Sequence, residues 1–241
     1  MALKEKYFQL VGELMDSVYA ANRAAIEELG PKIAKTLAGG GVLHLFGSGH
    51  SKMVAMEIER RAGGLVPISS IEDPTPGWAE QVPGFGTRLF ERYQFQYQCR
   101  PGDYLIVVSN SGKNHSPLEV AFAAREHGLR VIALTSVKMA STAKSQHASG
   151  QRLFEMADYV LDNQGEPGDA ALPLPDRDMR VGPTSTFSGA ILLNLLNLEI
   201  IDALREGGQP LPILKSQNLP DGKAHNEKLA ETYRDRIRRP I

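Results

Sequence analysis

A net charge of −1 over 241 residues excludes a general nucleic-acid surface, because phosphate-backbone binding leaves a clear basic excess. A hydrophobic share of 42% suffices for one substantial α/β domain with extra helices and does not require two separate cores. The single cysteine, Cys99, excludes an internal disulfide framework and fits a reducing compartment. It is given no chemical role.

Residues 1–6 carry charges where a secretion signal needs an apolar core, and no uncharged run reaches membrane-spanning length. A cytoplasmic protein without a membrane or nucleic-acid partner is therefore expected. From Tyr7 to Leu37 the residues Leu10, Leu14, Val18 and Ala21, then Ile26, Leu29, Ile33 and Leu37, recur at three- and four-residue steps. That pattern predicts an amphipathic helical pair broken at Gly30-Pro31.

Strands and helices then alternate: strand 42–46, helix 52–62 and strand 65–69, and later strand 104–109, helix 117–126, strand 130–135 and strand 159–161. Alternation at this spacing predicts right-handed crossovers and a mainly parallel sheet covered on both faces. Residues 72–86 hold three prolines, three glycines and the sole tryptophan, Trp78, and predict an extended loop. Residues 88–98, rich in Phe90, Tyr93, Phe95 and Tyr97, fit a helix or a packed extended segment, with core packing as the expected role of each ring.

Residues 164–182 are polar and rich in Pro and Gly, and predict a second long loop. Residues 184–204 are apolar on several faces, which predicts a buried helix with a subunit interface as its natural partner. A linker-like stretch, 207–222, precedes an amphipathic helix over 224–237. Arg234, Arg236, Arg238 and Arg239 read as the solvated face of that helix.

Two predicted strands end in the same chemistry. Strand 42–46 runs into Gly47-Ser48-Gly49-His50-Ser51, and strand 104–109 into Ser109-Asn110-Ser111-Gly112-Lys113-Asn114-His115, each directly before a helical pattern. Ser116-Pro117 with Glu119 gives the second helix a capped start. Hydroxyls and free backbone N–H groups at a strand-to-helix turn favour an anion. Ligands of open α/β sheets lie beyond the carboxyl ends of the strands, so both turns can address one ligand. Lys52 stands where a dinucleotide fingerprint needs its third glycine, and no P-loop segment is present.

On these two Ser-rich turns the chain resembles the sugar isomerase (SIS) domain family, from about Lys32 to Leu204. Phe46-Gly47-Ser48-Gly49-His50-Ser51, Glu72-Asp73-Pro74 and Gly182-Pro183-Thr184-Ser185-Thr186 are similar to a group assigned as phosphoheptose or phosphosugar isomerases. The resemblance implies a three-layer, doubly wound α/β fold of the flavodoxin-like kind. Its sheet would be mainly parallel and five-stranded, with N-terminal helices and a C-terminal helix. It implies a single SIS domain over 1–241, with a core of about 32–204, a helical extension 3–30 and a linker and helix 207–238. It further implies a phosphosugar whose phosphate is held by Gly47, Ser48, Ser51, Ser109, Asn110, Ser111, Gly112, Asn114 and His115. Asn114 stands where amidotransferase-type members carry Thr, and its amide can still donate. SIS domains pair through late apolar helices, so a homodimer or homotetramer with the site near the interface is expected.

Aldose–ketose isomerisation needs a base that moves a proton between adjacent carbons, and a second group that opens the sugar ring. Glu57 and Glu59 follow the first turn; on a continuous helix they stand about 200° apart, so only one can address the pocket. Glu72 at the carboxyl edge of the second strand is their rival. His50 and His115 lie inside the turns. His225 is a candidate by analogy with phosphoheptose isomerases, whose late helix supplies a histidine from a neighbouring subunit; here Asn194 and Asn197 occupy that helix. Those enzymes carry their catalytic glutamate at the position of Arg61. His44, in mid-strand, reads as a packed residue. No histidine–acid cluster has metal spacing, so neither a metal nor another cofactor is expected. The expected activity is an isomerase of a phosphorylated sugar or amino sugar. A non-catalytic phosphosugar sensor and a muramic-acid-phosphate etherase-like lyase stand as alternatives.

Overall fold

The computed structural model describes residues 1–237, so Arg238 and Arg239 lie outside the described residues. Five strands, β1 (Leu43–Gly47), β2 (Ile68–Ile71), β3 (Tyr104–Val108), β4 (Arg130–Thr135) and β5 (Tyr159–Asp162), form a parallel sheet in the order β2-β1-β3-β4-β5. β1 and β3 are buried along their whole length. A parallel sheet covered on both faces demands this, and strands apolar on both sides supply it. Side chains alternate between two cores. Leu43, Leu45, Tyr104, Ile106 and Val108 join one, while Phe46, Leu105 and Val107 join the other, as the two-residue period of a strand requires.

The first core lies under α1 (Leu3–Ala38) and α7 (Ser185–Glu206), and the second under α3 (Phe85–Tyr97) and α4 (His115–Glu126). Between them along the chain come the short helices α2 (Ser51–Ala55), α5 (Val137–Thr142) and α6 (Leu153–Met156). By length and composition α7 is apolar enough to cross a membrane. In this fold it is a core helix: Leu192, Leu193, Leu196, Ile200 and Leu204 pack with Leu29, Ile33 and Leu37 of α1. The chain's own N-terminal helix thus covers one side of it, while Phe187 and Leu198 stay exposed.

That helix corrects the expected break at Gly30-Pro31: α1 runs unbroken for 36 residues with Pro31 inside it. A mid-helix proline costs about 3 kcal/mol. Burying Val18, Ile26, Leu29, Ile33 and Leu37 on one stripe outweighs this, at roughly 1.5–3 kcal/mol per large side chain. The expected helix 52–62 is also corrected. α2 gives way to a 3₁₀ turn at Met56–Ile58, and Glu59 is already extended. The chain must reverse here, because Gly63 donates its N–H to Leu214 O and accepts from the Asn197 amide.

The second strand begins later than expected, and Leu65 instead forms an isolated bridge with Ile213. The polar stretch 164–182 is not a plain loop. It contains an antiparallel hairpin of β6 (Ala170–Pro173) and β7 (Arg180–Pro183), with the Arg180 guanidinium donating to Ala170 O and Ala171 O. The aromatic stretch after residue 84 is helical, as α3. The last helix, α8 (Gly222–Thr232), ends before the arginines. Arg236 is buried rather than solvated: it pairs with Asp103 at 2.7 Å, and Asp103 also meets His44 at 3.2 Å.

Candidate functional site

Strand order reverses between β1 and β3, since β2 lies beyond β1 and β4 beyond β3. Open α/β sheets bind ligands in the crevice outside such a switch point, and both Ser-rich turns emerge there. The first turn is tight. A Cβ on Gly47 would meet Ser51 O at 2.4 Å, and Gly49 takes a φ of 55°, a backbone state that costs glycine little. Ser51 N–H donates to Ser48 O at 3.1 Å. In the second turn Gly112 takes a φ of 56° and donates its N–H to Ser109 Oγ at 3.3 Å. Asn110 is held by its own carbonyl, which accepts from Thr135 Oγ1 and Ser136 N–H, and by its side-chain oxygen, which accepts from Asn163.

The two turns wall a single cavity of about 400 Å³. Of the residues expected to bind phosphate, Ser48, Ser51, Ser109, Asn110, Ser111 and Asn114 line it, and His50 lies on its exposed side. Ser48 commits its hydroxyl proton to Asp73 Oδ2 at 2.6 Å. Ser109, whose oxygen accepts from Gly112, keeps its own proton to offer, as do Ser51 and Ser111.

Other expected site residues stand elsewhere. Gly47 borders a neighbouring cavity of about 370 Å³ with Lys52, Glu59, Ser70 and Glu72. Gly112 is buried beneath its turn, against Leu153 and Thr135. His115 faces Glu119, with Nδ1 and Oε1 3.5 Å apart, and Glu119 spends its carboxylate on the N–H groups of Gly84 and Gly86 at the start of α3.

The catalytic candidates stand apart from that cavity as well. Because the helix stops at Ala55, Glu57 and Glu59 never share a continuous helix. Glu57 pairs with Arg61 and accepts from the Asn194 amide. The Glu59 carboxylate accepts from Ser70 N–H at 2.9 Å and from the Ser70 hydroxyl. Glu72 is exposed in the neighbouring cavity. His225 Nε2 lies 2.9 Å from Ile213 O and fastens α8 beside the Leu65–Ile213 bridge. None of the four lines the cavity between the Ser turns.

That cavity instead gathers residues the sequence did not mark as catalytic: Glu80 and Trp78 from the loop after β2, Asp169 from the hairpin, and Ser185 and Thr186 from the start of α7. Asp169 takes a φ of 68° and accepts from Thr184 and Ser185 N–H at 3.1 and 2.9 Å, capping α7. The available signal for Glu80 was its place, next to the lone tryptophan in a Pro- and Gly-rich loop at the carboxyl edge of the sheet.

Burial alone would raise the pKa of Asp73, but hydrogen bonds from Ser48 and Thr75, with the Lys52 charge nearby, hold it below the ordinary range. Burial pushes the Cys99 thiol up to about 12, which leaves it unreactive at neutral pH.

A model of the SIS domain matches residues 6–136. A UPF0309 protein of Listeria monocytogenes is 34% identical over 231 residues, covering 96% of this chain and 97% of its own. One from Shouchella clausii is 32% identical over 247 residues, covering 98% and 99%. Among solved structures, the phosphoheptose isomerase of Neisseria gonorrhoeae superposes with a TM-score of 0.53 at 18% identity, covering 83% of this chain and 98% of that one. The NanR protein of Vibrio vulnificus, complexed with ManNAc-6P, does so with 0.53 at 15% identity, covering 96% and 68%. These two likenesses are of fold. The family match and the full-length relatives establish that the chain belongs to the SIS domain family.

Proposed function

We propose that the protein binds a phosphorylated sugar or amino sugar and interconverts its aldose and ketose forms. The observation that carries this reading is the convergence of both Ser-rich turns on one cavity at the switch point of the sheet. A volume of about 400 Å³ lies within the range of small-molecule sites. Ser51, Ser109, Ser111 and Asn114 hold the phosphate, which suits neutral donors that each add a charge-assisted bond. His50, at the exposed rim, serves ring opening, a task for an imidazole, which can both accept and donate a proton. The exposed Phe187 and Leu198 of α7 are the contact through which a second copy of the chain pairs.

A second reading, a phosphosugar sensor without turnover, is favoured by two observations. Arg61 occupies the place of the glutamate that phosphoheptose isomerases use, and NanR, seen with ManNAc-6P, shares the fold. One experiment separates the two readings. The protein is heated with hexose, heptose, pentose and N-acetylhexosamine phosphates and with the free sugars, and the stabilising mixtures are then followed by NMR. Phosphate-dependent stabilisation with conversion supports the isomerase, and stabilisation without conversion supports the sensor. Equal behaviour of phosphorylated and free sugars contradicts both.

A further inference from the structure

We infer that Glu80 is the carboxylate that moves the proton between adjacent sugar carbons. The assignment rests on the isomerase reading above. Glu80 belongs to the loop joining β2 to α3, and that loop is fastened to the first Ser-rich turn and to the start of α4, which follows the second. On one side Ser48 bonds Asp73, and Lys52 Nζ donates to Asp73 O at 3.3 Å. Gly77 sits so close to the first turn that a Cβ there would lie 2.9 Å from Gly49 N and Cα. On the other side Glu80 O accepts Ser116 N–H at 2.9 Å, and Ala79 O accepts the Ser116 hydroxyl at 3.3 Å. Glu80 N–H closes a turn onto Gly77 O at 3.1 Å. The backbone of Glu80 is therefore held from both ends, and its half-buried side chain walls the cavity shared with Ser51 and Ser111.

The other buried or half-buried carboxylates at this edge are committed. Asp73 holds Ser48 and Thr75, Asp169 caps α7, and Glu119 caps α3. Among the described residues the Glu80 carboxylate has no ion pair or hydrogen bond, so it is the acid in the cavity left for a ligand. A base must reach the proton it abstracts, and rigid support from the scaffold is what keeps it in place. A phosphosugar anchored on the two turns meets Glu80 with its carbon chain. In the forward direction Glu80 takes the proton from C2 of the open-chain aldose and returns it to C1, while the hydroxyl proton passes from O2 to O1. C1 is reduced and C2 oxidised within one molecule, so no external redox partner is needed.

The test is exchange of substrate hydrogen with solvent in D₂O, read by NMR. The probes are glucose 6-phosphate, fructose 6-phosphate, glucosamine 6-phosphate, ribose 5-phosphate and sedoheptulose 7-phosphate, and the proteins are the wild type, Glu80→Gln and Glu72→Gln. The wild type and Glu72→Gln place deuterium beside the carbonyl of the accepted sugar. Glu80→Gln binds that sugar within about threefold of the wild type yet exchanges about 100-fold or more slowly, the usual share of a general base. Equal exchange by Glu80→Gln and wild type overturns the Glu80 assignment and leaves the isomerase reading standing. Absence of exchange by the wild type with every probe overturns the isomerase reading, and the assignment with it. If Glu80→Gln does not fold, Glu80→Asp decides, because it keeps the charge and withdraws it by one methylene; a wild-type exchange rate there overturns the assignment.

Discussion

Ser48 donates its hydroxyl to Asp73 across 2.6 Å, with both residues almost wholly buried, so the first Ser-rich turn and the loop after β2 move as one unit. Asp73 completes the tie by accepting Thr75 N–H at 2.8 Å and the Thr75 hydroxyl at 2.6 Å. Removing the charge while keeping the shape, as in Asp73→Asn, weakens three bonds at once. The expected loss of stability at pH 7 is roughly 1–3 kcal/mol, seen as a lower urea midpoint. Because the folded pKa of Asp73 lies below its ordinary 3.8, its stabilising share is present above that value and is lost as pH falls through the folded pKa. Urea melts from pH 6 down to pH 2 should decline less steeply for Asp73→Asn than for the wild type on the acid side; parallel curves contradict this account of the loop.

The two serines of the second turn should separate in their effects. Ser109 supports the turn by accepting Gly112 N–H, whereas Ser111 only faces the cavity. Ser111→Ala is expected to weaken phosphosugar binding by roughly 1.5–3 kcal/mol, or about 10- to 150-fold, with an unchanged melting temperature. Ser109→Ala should lose both affinity and thermal stability. Calorimetric titration beside a melting curve for each variant checks the contrast.

Trp78 is the only tryptophan of the chain, and it stands 89% exposed on the wall of the cavity. A sugar that fills the cavity displaces water from its ring. Intrinsic emission should therefore shift to shorter wavelength on adding the phosphosugar, saturating with the same Kd as calorimetry. Emission that stays fixed during saturating binding places the ligand elsewhere.

Gly30 offers a test of the packing between α1 and α7. In an isolated helix Gly30→Ala gains about 1 kcal/mol, but here the new Cβ would fall 2.3 Å from Glu199 Cγ and 3.2 Å from the Glu199 backbone. Overpacking of that kind costs about 1–3 kcal/mol, so the variant should be less stable than the wild type in urea. A stabilised variant would show that the two helices separate at this point.

The strands were legible because their chemistry is one-dimensional: the continuous apolar runs at Leu43 and Tyr104 have one home, a parallel sheet buried on both faces. The serine turns were legible for a similar reason, since each follows its strand directly. What failed was governed by distant contacts. Pro31 and Gly30 look like a break until α7 packs against Gly30 through Glu199, and residues after Ala55 keep a helical pattern although Gly63 is drawn to Leu214 and Asn197. Arg236 reads as a surface charge because nothing near it in sequence reveals Asp103 and Gly40 waiting across the fold. The site shows the same division. Its Ser-rich turns could be read locally, but the acid in the cavity could not, because Glu80 is brought there by bonds to Ser116 and by the Gly77–Gly49 contact.

The most direct measurement of the central claim is calorimetric titration of the wild type with one sugar phosphate from the stabilising set, with the same sugar lacking its phosphate, and with inorganic phosphate. If the two Ser-rich turns hold a phosphate and the cavity holds the sugar, the phosphosugar binds at least tenfold more tightly than either part. Equal affinity for the sugar with and without its phosphate would contradict the assignment of the turns.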